Sequence, residues 1–375
     1  MPRIEGACDS AFAAVRDAFA ENLAKRDERG AGVAVWWRGR LVIDLWGGWR
    51  NRAGTAPWTA DTMVCMMSVV KAVISLLVHV LVDRGRINLD SPVAAYWPQF
   101  AQGDKEAVLV RHVLDHRAGV PAISRDMPAN AVFDWDAMTD AVAAEPARWP
   151  AGAVPAYHPV TMGFIAGELI RRVSGSTPGT FLREIAADLG AFDYFIGVPR
   201  DAIARCAEIS GDYAGTIFGA TDRATLAYTS IAQVRSEMFN TDAFRLAEIP
   251  SINGHGTARA VATLFGHLAQ CRAGRFSRII STDALERATK EQWHGIEQTS
   301  MQERRMALGF LLGGVGNPPI NANPRSFGHG GAGGALAFAD PDLELGFAYS
   351  PSHLHGGKGP SPRTKALVDA VMASI

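Results

Sequence analysis

Apolar positions follow two rhythms along this chain. Residues 31–50 read AGVAVWWRGRLVIDLWGGWR. Two β-rich apolar runs flank Arg38-Gly39-Arg40, the pattern of a hairpin, and Gly47-Gly48 ends its second strand. The first 30 residues instead space their apolar positions at helical intervals among acids and bases, which predicts an amphipathic surface helix. Residues 63–82, MVCMMSVVKAVISLLVHVLV, are apolar almost throughout and long enough to cross a bilayer. Lys71 near the middle and His79 beyond it would be costly in lipid. The pattern therefore predicts a buried core helix stopped at Gly85, and the ionisable group inside it needs a reason.

Residues 86–250 are mostly helical in pattern and punctuated by proline. VRHVLDHRAGV (110–120) reads as a short helix capped by Gly119, TMGFIAGELIRRVSG (161–175) as a longer one with a glycine stop, and FLREIAADLGA (181–191) as a third. Residues 222–250 read as helix and loop. Residues 252–256, INGHG, form a turn cluster, and ARAVATLFGHLAQCRAG (258–274) is helical. Strand patterns then return in MALGFLLGG (306–314) and in GALAFADPDLELGFAYS (334–350), where Asp340-Pro341-Asp342 reads as a hairpin turn. A last helix is expected over 366–375. Strands thus open and close the chain while helices fill its middle. This predicts an α/β fold of the α+β type: an antiparallel sheet domain built from residues 1–85 and 252–375, a mainly helical domain over 86–251 inserted in it, and the active site between them.

Composition narrows the functions. Of 375 residues, 48% are hydrophobic and 20% charged, with a formal net charge of −1. That is ample material for a core and too apolar for disorder. No charge excess draws the chain to nucleic acid or to an anionic membrane. Cys8, Cys65, Cys206 and Cys271 form no C-x-x-C or C-x-x-H pair, so no structural zinc is expected. Reduced thiols, and an N-terminus without a basic stretch leading into an apolar run, are those expected of a cytoplasmic protein. His112 and His116 are spaced i,i+4 but lack further ligands, and His353 and His355 lie in a glycine-rich loop. Neither a metal nor another cofactor is expected.

Three elements carry chemistry. Ser68-Val69-Val70-Lys71 is the single S-x-x-K of the chain. On a helix, i and i+3 share a face, so the hydroxyl and the amine approach each other. A serine needs a base, and a desolvated lysine can be one. A lysine snorkelling to the helix edge has the same spacing. Tyr157-His158-Pro159 stands at a loop-to-helix junction, where a phenol near an ammonium could titrate low enough to accept a proton; a core tyrosine is the plainer alternative, and Tyr228 the second candidate. Residues 328–334, GHGGAGG, match G-x-G-x-x-G, but a hairpin follows where a dinucleotide site needs a helix. A glycine-rich edge strand instead lets a substrate approach the backbone, whose N–H groups face an oxyanion.

In this order, these three elements resemble the serine β-lactamase/penicillin-binding-protein superfamily, and within it the class C β-lactamase-like group that includes family VIII carboxylesterases. LVDRGRINLDSPVAAYWP (81–98), VRHVLDHRAGVPA (110–122), YHPVTMGFIAGELIRRVSG (157–175) and FGHGGAGGALAFADP (327–341) extend the likeness over nearly the whole chain. The resemblance implies a β-lactamase/transpeptidase-like fold. It implies Ser68 as the acylated nucleophile, Lys71 as the group assisting its deprotonation, and Tyr157 as general base and then acid. The oxyanion hole would use the Ser68 N–H and one from Gly331 or Ala332, within a substrate-binding stretch that also takes in His329, Gly330 and His158. Two departures matter. Where lactamases carry Tyr-x-Asn, this chain has Tyr157-His158-Pro159. Where they carry Lys-Thr-Gly, it has glycines and His329, so the lysine that would pair with a penicillin carboxylate is missing. A neutral ester would not need it. The implied activity is a serine carboxylesterase acting on short-chain, small-molecule esters. The alternatives are a β-lactam hydrolase or D-alanyl peptidase of the same fold, and a non-catalytic relative. Oligomeric state is left open.

Overall fold

Arg38 and Gly39 take positive φ angles of 49° and 95°, the geometry of a two-residue hairpin turn. They join strand β2 (Gly30–Trp37) to β3 (Arg40–Gly48), as the 31–50 pattern predicts. The computed structural model describes residues 3–128, 130–189, 192–211, 234–315, 320–356 and 361–375. The remaining strands are β1 (Ile4–Cys8), β4 (Val64–Cys65), β5 (Tyr194–Ile196), β6 (Gly254–Gly256), β7 (Trp293–Ile296), β8 (Glu303–Met306), β9 (Leu311–Leu312), β10 (Phe327–Gly330), β11 (Leu336–Asp340) and β12 (Leu345–Pro351). Nine of them form one antiparallel sheet in the order β1-β3-β2-β12-β11-β10-β9-β8-β7. Strands from both ends of the chain meet at its centre, where β2 pairs with β12.

The two faces of this sheet differ because side chains alternate along a strand. Val33, Val35, Phe338 and Phe347 pack with Phe12, Val15, Phe19, Leu367 and Val371, which belong to the two terminal helical segments. Ala34, Ala337, Ala339 and Ala348 face the other way, into the core shared with helix Ala258–Arg272. Small residues there let the helix sit close. A Cβ on Gly346 would come within 2.2 Å of the Gly266 nitrogen.

The apolar run 63–82 is not one helix. It holds β4, a 3₁₀ turn at Met67–Val69, and then the helix Val70–Asp83. Periodicity alone cannot separate a buried strand from a buried helix when every position is apolar. Tertiary pairing decides it: β4 joins β6 and β5 in a second, three-stranded sheet, and the Met66 N–H donates to Gly254 O at 2.8 Å. The turn cluster expected at 252–256 is therefore partly strand β6. Its glycines make room for Tyr194, whose Oη lies 2.0 Å from where a Gly254 Cβ would be.

Helix Thr161–Ser174 falls where the periodicity places it, while Pro178–Ala186 and Pro362–Ala373 each begin and end before the expected 181–191 and 366–375. The first ends at Gly175 with φ 81°. The helix Val110–Leu114 stops before Gly119, because His116 already turns to φ 63°. The 306–314 pattern is split between the end of β8 and the short β9, broken at Gly309 with φ 90°. Of residues 222–250, those at 222–233 lie outside the described residues, and Asp242–Leu246 is a short helix. Among the described residues, no helix is long and apolar enough to cross a membrane.

Candidate active site

Ser68 sits in the 3₁₀ turn that leads into the helix Val70–Asp83. It is half-buried, while residues 62–67 and 69–81 around it are buried. The preceding Met67 takes φ 49°, an uncommon conformation for a residue with a side chain. One turn on, Lys71 brings its Nζ to 3.2 Å from Ser68 Oγ. The same nitrogen donates to Pro159 O at 2.8 Å and to Ser251 O at 2.8 Å. A neutral amine has two N–H groups and one lone pair. The two carbonyls take the two N–H groups, which leaves the lone pair for the serine hydroxyl. Burial pushes Lys71 well below the usual lysine range, and the Arg304 cation adds to the effect. Pro159 occupies the place of an amide-bearing residue in the lactamase pattern, and here its carbonyl anchors the lysine.

Tyr157 comes from the loop before helix Thr161–Ser174 and its phenol stands close enough to Ser68 to feel it. Its backbone N–H donates to Glu297 Oε2 at 2.8 Å. Lys71 Nζ lies 4.9 Å from the centroid of its ring, and Arg304 Cζ lies 4.8 Å from it. The phenol does not titrate low. Burial pushes it up to about 12, against the opposing influence of Arg304 and of Ser68. Desolvation penalises the phenolate and the ammonium alike. The resting site therefore pairs a neutral phenol with a lysine biased toward its neutral amine.

The glycine-rich segment completes the cleft. It is not an edge strand: β10 lies between β11 and β9. However, β9 pairs with Phe327 and Gly328 alone, so His329 and Gly330 stay open on that side. Gly331 is required by space. A Cβ there would lie 2.2 Å from Met66 O, so this glycine lets the segment close onto the turn that carries Ser68. Its own N–H is spent on Ala335 O at 2.7 Å. Ala332 opens the following 3₁₀ turn, where an N–H has no partner within the turn, as is also true of Ser68 in its own turn. Of the two backbone donors expected beside Ser68, Gly331 is thus occupied, and Ala332 is the remaining candidate.

Three histidines line the back of the site. His329 Nδ1 lies 2.6 Å from Gly330 O, and its buried Nε2 has no hydrogen-bond partner. Burial holds it down at about 3, which biases the ring toward its neutral form. His158 is fully buried. Its Nδ1 pairs with Ala156 O at 2.6 Å, and its Nε2 accepts the Val120 N–H at 3.3 Å. Both nitrogens serve the backbone, and none is left for a ligand. His116 packs its ring 4.7 Å from that of Tyr157 and accepts the His158 N–H at 3.2 Å. Tyr228 lies outside the described residues.

Sequence reasoning missed Ser251, Glu297, Arg304 and this use of His116, each a single residue without a motif. Ser251 holds Lys71 through its carbonyl, while its Oγ accepts the Gly163 N–H at 2.8 Å and donates to Val160 O at 2.8 Å. It thereby ties the lysine to the helix that follows Tyr157. Trp135, the first residue of the helix Trp135–Ala144, packs on Phe164 at 5.4 Å and donates to Glu168 at 2.9 Å.

The family model Beta-lactamase matches residues 15–371. The chain is 33% identical over 363 residues to Esterase/beta-lactamase LipL of Mycobacterium tuberculosis, covering 92% of this chain and 82% of that protein. Two crystal structures are similar over 100% of both chains with a TM-score of 0.90: a penicillin-binding protein homolog from Caulobacter crescentus at 36% identity, and a family VIII carboxylesterase at 32%. With its Ser68 turn, its buried lysine and its glycine-rich strand brought together, the chain belongs to the beta-lactamase family and has the β-lactamase/transpeptidase-like fold.

Proposed function

We propose that this protein is a serine carboxylesterase that cleaves short-chain, small-molecule acyl esters through an acyl-enzyme on Ser68. The observation that carries this reading is Lys71, buried and held by two carbonyls with its remaining valence toward the Ser68 hydroxyl. Relatives named as an esterase/β-lactamase and a family VIII carboxylesterase, each above 30% identity and aligned over most of the chain, support it.

Lys71 accepts the Ser68 proton as Oγ attacks the ester carbonyl carbon. The carbonyl oxygen becomes an oxyanion and receives the N–H groups of Ser68 and Ala332. Collapse breaks the bond to the alcohol oxygen. That oxygen takes a proton from the Tyr157 hydroxyl, which is restored by the proton on Lys71. Water then attacks the acyl-enzyme, giving its proton to the same pair, and Ser68 leaves protonated with the carboxylic acid released. The site needs no cofactor for these steps. Strand β10 offers the neutral His329 where a penicillin carboxylate would need a cation, which favours uncharged esters.

The test is a chromogenic butyrate ester assayed beside a chromogenic cephalosporin, each with the Ser68→Ala variant. Ester turnover that is fast, exceeds cephalosporin cleavage and is lost in the variant is the expected result. Cephalosporin cleavage as fast as ester turnover would transfer the protein to the β-lactam hydrolases. Ester turnover that survives Ser68→Ala would remove the nucleophile assignment.

A further inference from the structure

The β7–β8 hairpin contributes two charged side chains to Tyr157. Glu297, fully buried just after β7, takes the Tyr157 backbone N–H on Oε2 and is itself held by the N–H groups of Thr299 and Ser300, each at 2.8 Å. Arg304 stands on β8 with 14% of its side chain exposed. Its guanidinium lies over the Tyr157 ring at 4.8 Å, its Nε is 3.9 Å from Glu297 Oε1, and it donates to Gln302 Oε1 at 3.0 Å. That Nε is buried without a hydrogen-bond partner. An unpartnered donor beside a desolvated cation is a cost that packing alone does not explain, since an apolar chain would cover the ring without it.

The charged and titratable groups around the phenol come from four further places. Lys71 Nζ lies 4.9 Å from the ring on the helix Val70–Asp83. His116 packs at 4.7 Å, with His158 stacked behind it at 5.5 Å. His329 on β10 is 6.2 Å away. Burial keeps all three imidazoles neutral, with His158 held at about 4 and His329 at about 3. Arg304 is therefore the permanent cation of this group. Its field disfavours a proton on Tyr157 and on Lys71 alike, while the Glu297 charge opposes it at Tyr157.

On the esterase reading above, we propose that Arg304 is a positioning residue for the Tyr157–Lys71 pair: it clamps the phenol beside Ser68 and keeps the pair ready to accept a proton. It supplies from β8 the fixed positive charge that β10, with its neutral His329, lacks. Glu297 is its counterweight, setting how far that charge is felt.

The test compares the pH profile of kcat/KM on a chromogenic butyrate ester for the wild type, Arg304→Gln, Arg304→Lys and Glu297→Gln, with Ser68→Ala as the blank. The ascending limb belongs to the coupled pair. Arg304→Gln is expected to move it to higher pH by about one unit, with about a tenfold loss in the neutral range. KM should change less than about twofold, because Arg304 acts through the pair and not on the substrate. Arg304→Lys should recover part of the shift. Glu297→Gln keeps an acceptor for the Tyr157 N–H but loses the charge, and should move the limb the opposite way. Opposed shifts are not produced by a general loss of structure. If Arg304→Gln does not fold, Glu297→Gln carries the test, and an unmoved limb overturns the inference. So do limbs that move together, and a change confined to KM. Turnover that survives Ser68→Ala would instead remove the Ser68 nucleophile on which the reading above rests, so the two failures are told apart.

Discussion

At Ser68 a hydroxyl open to the cleft meets an amine that its surroundings bias against holding a proton. The lysine's two carbonyl partners accept hydrogen bonds but carry no full negative charge, so they orient the nitrogen without the strong stabilisation that a carboxylate would give its ammonium form. Lys71→Ala and Tyr157→Phe should each lower kcat by about 10²–10⁴-fold, the range of a lost general acid or base, and their effects should not add. A Tyr157→Phe enzyme with full activity would remove Tyr157 from the proton path and bring Tyr228 forward. On the proposed mechanism Lys71 works as the free amine, so activity should rise from acid toward mildly alkaline pH, following deprotonation of the pair. An acid-favoured profile would exclude this assignment. Ser68 and Lys71 were legible in sequence because local spacing alone brings them together. Ser251, Glu297 and Arg304 were not, because they act through contacts separated by 180 residues in one case and 140 in another.

On the scale of elements, the site depends on two pieces of backbone closing on each other. The 3₁₀ turn with Met67 at positive φ presents Ser68, and the segment after β10 closes onto that turn because Gly331 has no side chain. Gly331→Ala would push a methyl against Met66 O and Ala335 Cβ, 2.2 and 3.0 Å away. Overpacking of this kind costs about 1–3 kcal/mol, and here it also displaces the Ala332 N–H from the Ser68 turn. The variant should lose activity out of proportion to its loss of stability. A thermal melt measured beside kcat decides this, and unchanged kcat would show that the donor lies elsewhere. The glycine-rich character of the segment was readable from sequence. Its choice between Gly331 and Ala332 was not, since it turns on one hydrogen bond to Ala335.

For the whole molecule, burial of histidine sets a limit in acid. His79, His158 and His255 are held at about 4, and His329 at about 3, each chiefly by desolvation. Unfolded, each returns to its ordinary value of 6.5 and binds a proton below it. Between 6.5 and about 4 the unfolded chain therefore holds more protons than the folded one, so stability falls as pH falls through that window. Each titrating group contributes at most about 1.4 kcal/mol per pH unit. Glu28, whose carboxyl is raised by burial, works in the opposite sense. Denaturant midpoints measured at successive pH values should decline below 6.5, and less steeply in His255→Gln. A flat response would show that these rings are protonated in the folded protein.

By itself the sequence determined what is local. Alternation marked the strands and their two faces, 3.6-residue periodicity marked the longer helices, and Ser68-x-x-Lys71 fell on one face of a turn. The family was readable because its motifs are short, contiguous and ordered along the chain. The tertiary structure alone decided what depends on burial and on distant backbone. It cut the apolar run 63–82 into strand, turn and helix, because β6 arrives from residue 254 to pair with β4. It biased Tyr157 toward its neutral phenol and Lys71 toward its free amine, because desolvation raises the one and lowers the other. It brought Arg304 over Tyr157, because the sheet order places β8 beside the cleft. Each of these outcomes is set by which atoms exclude water from which charge, and that is settled only when the whole chain has closed.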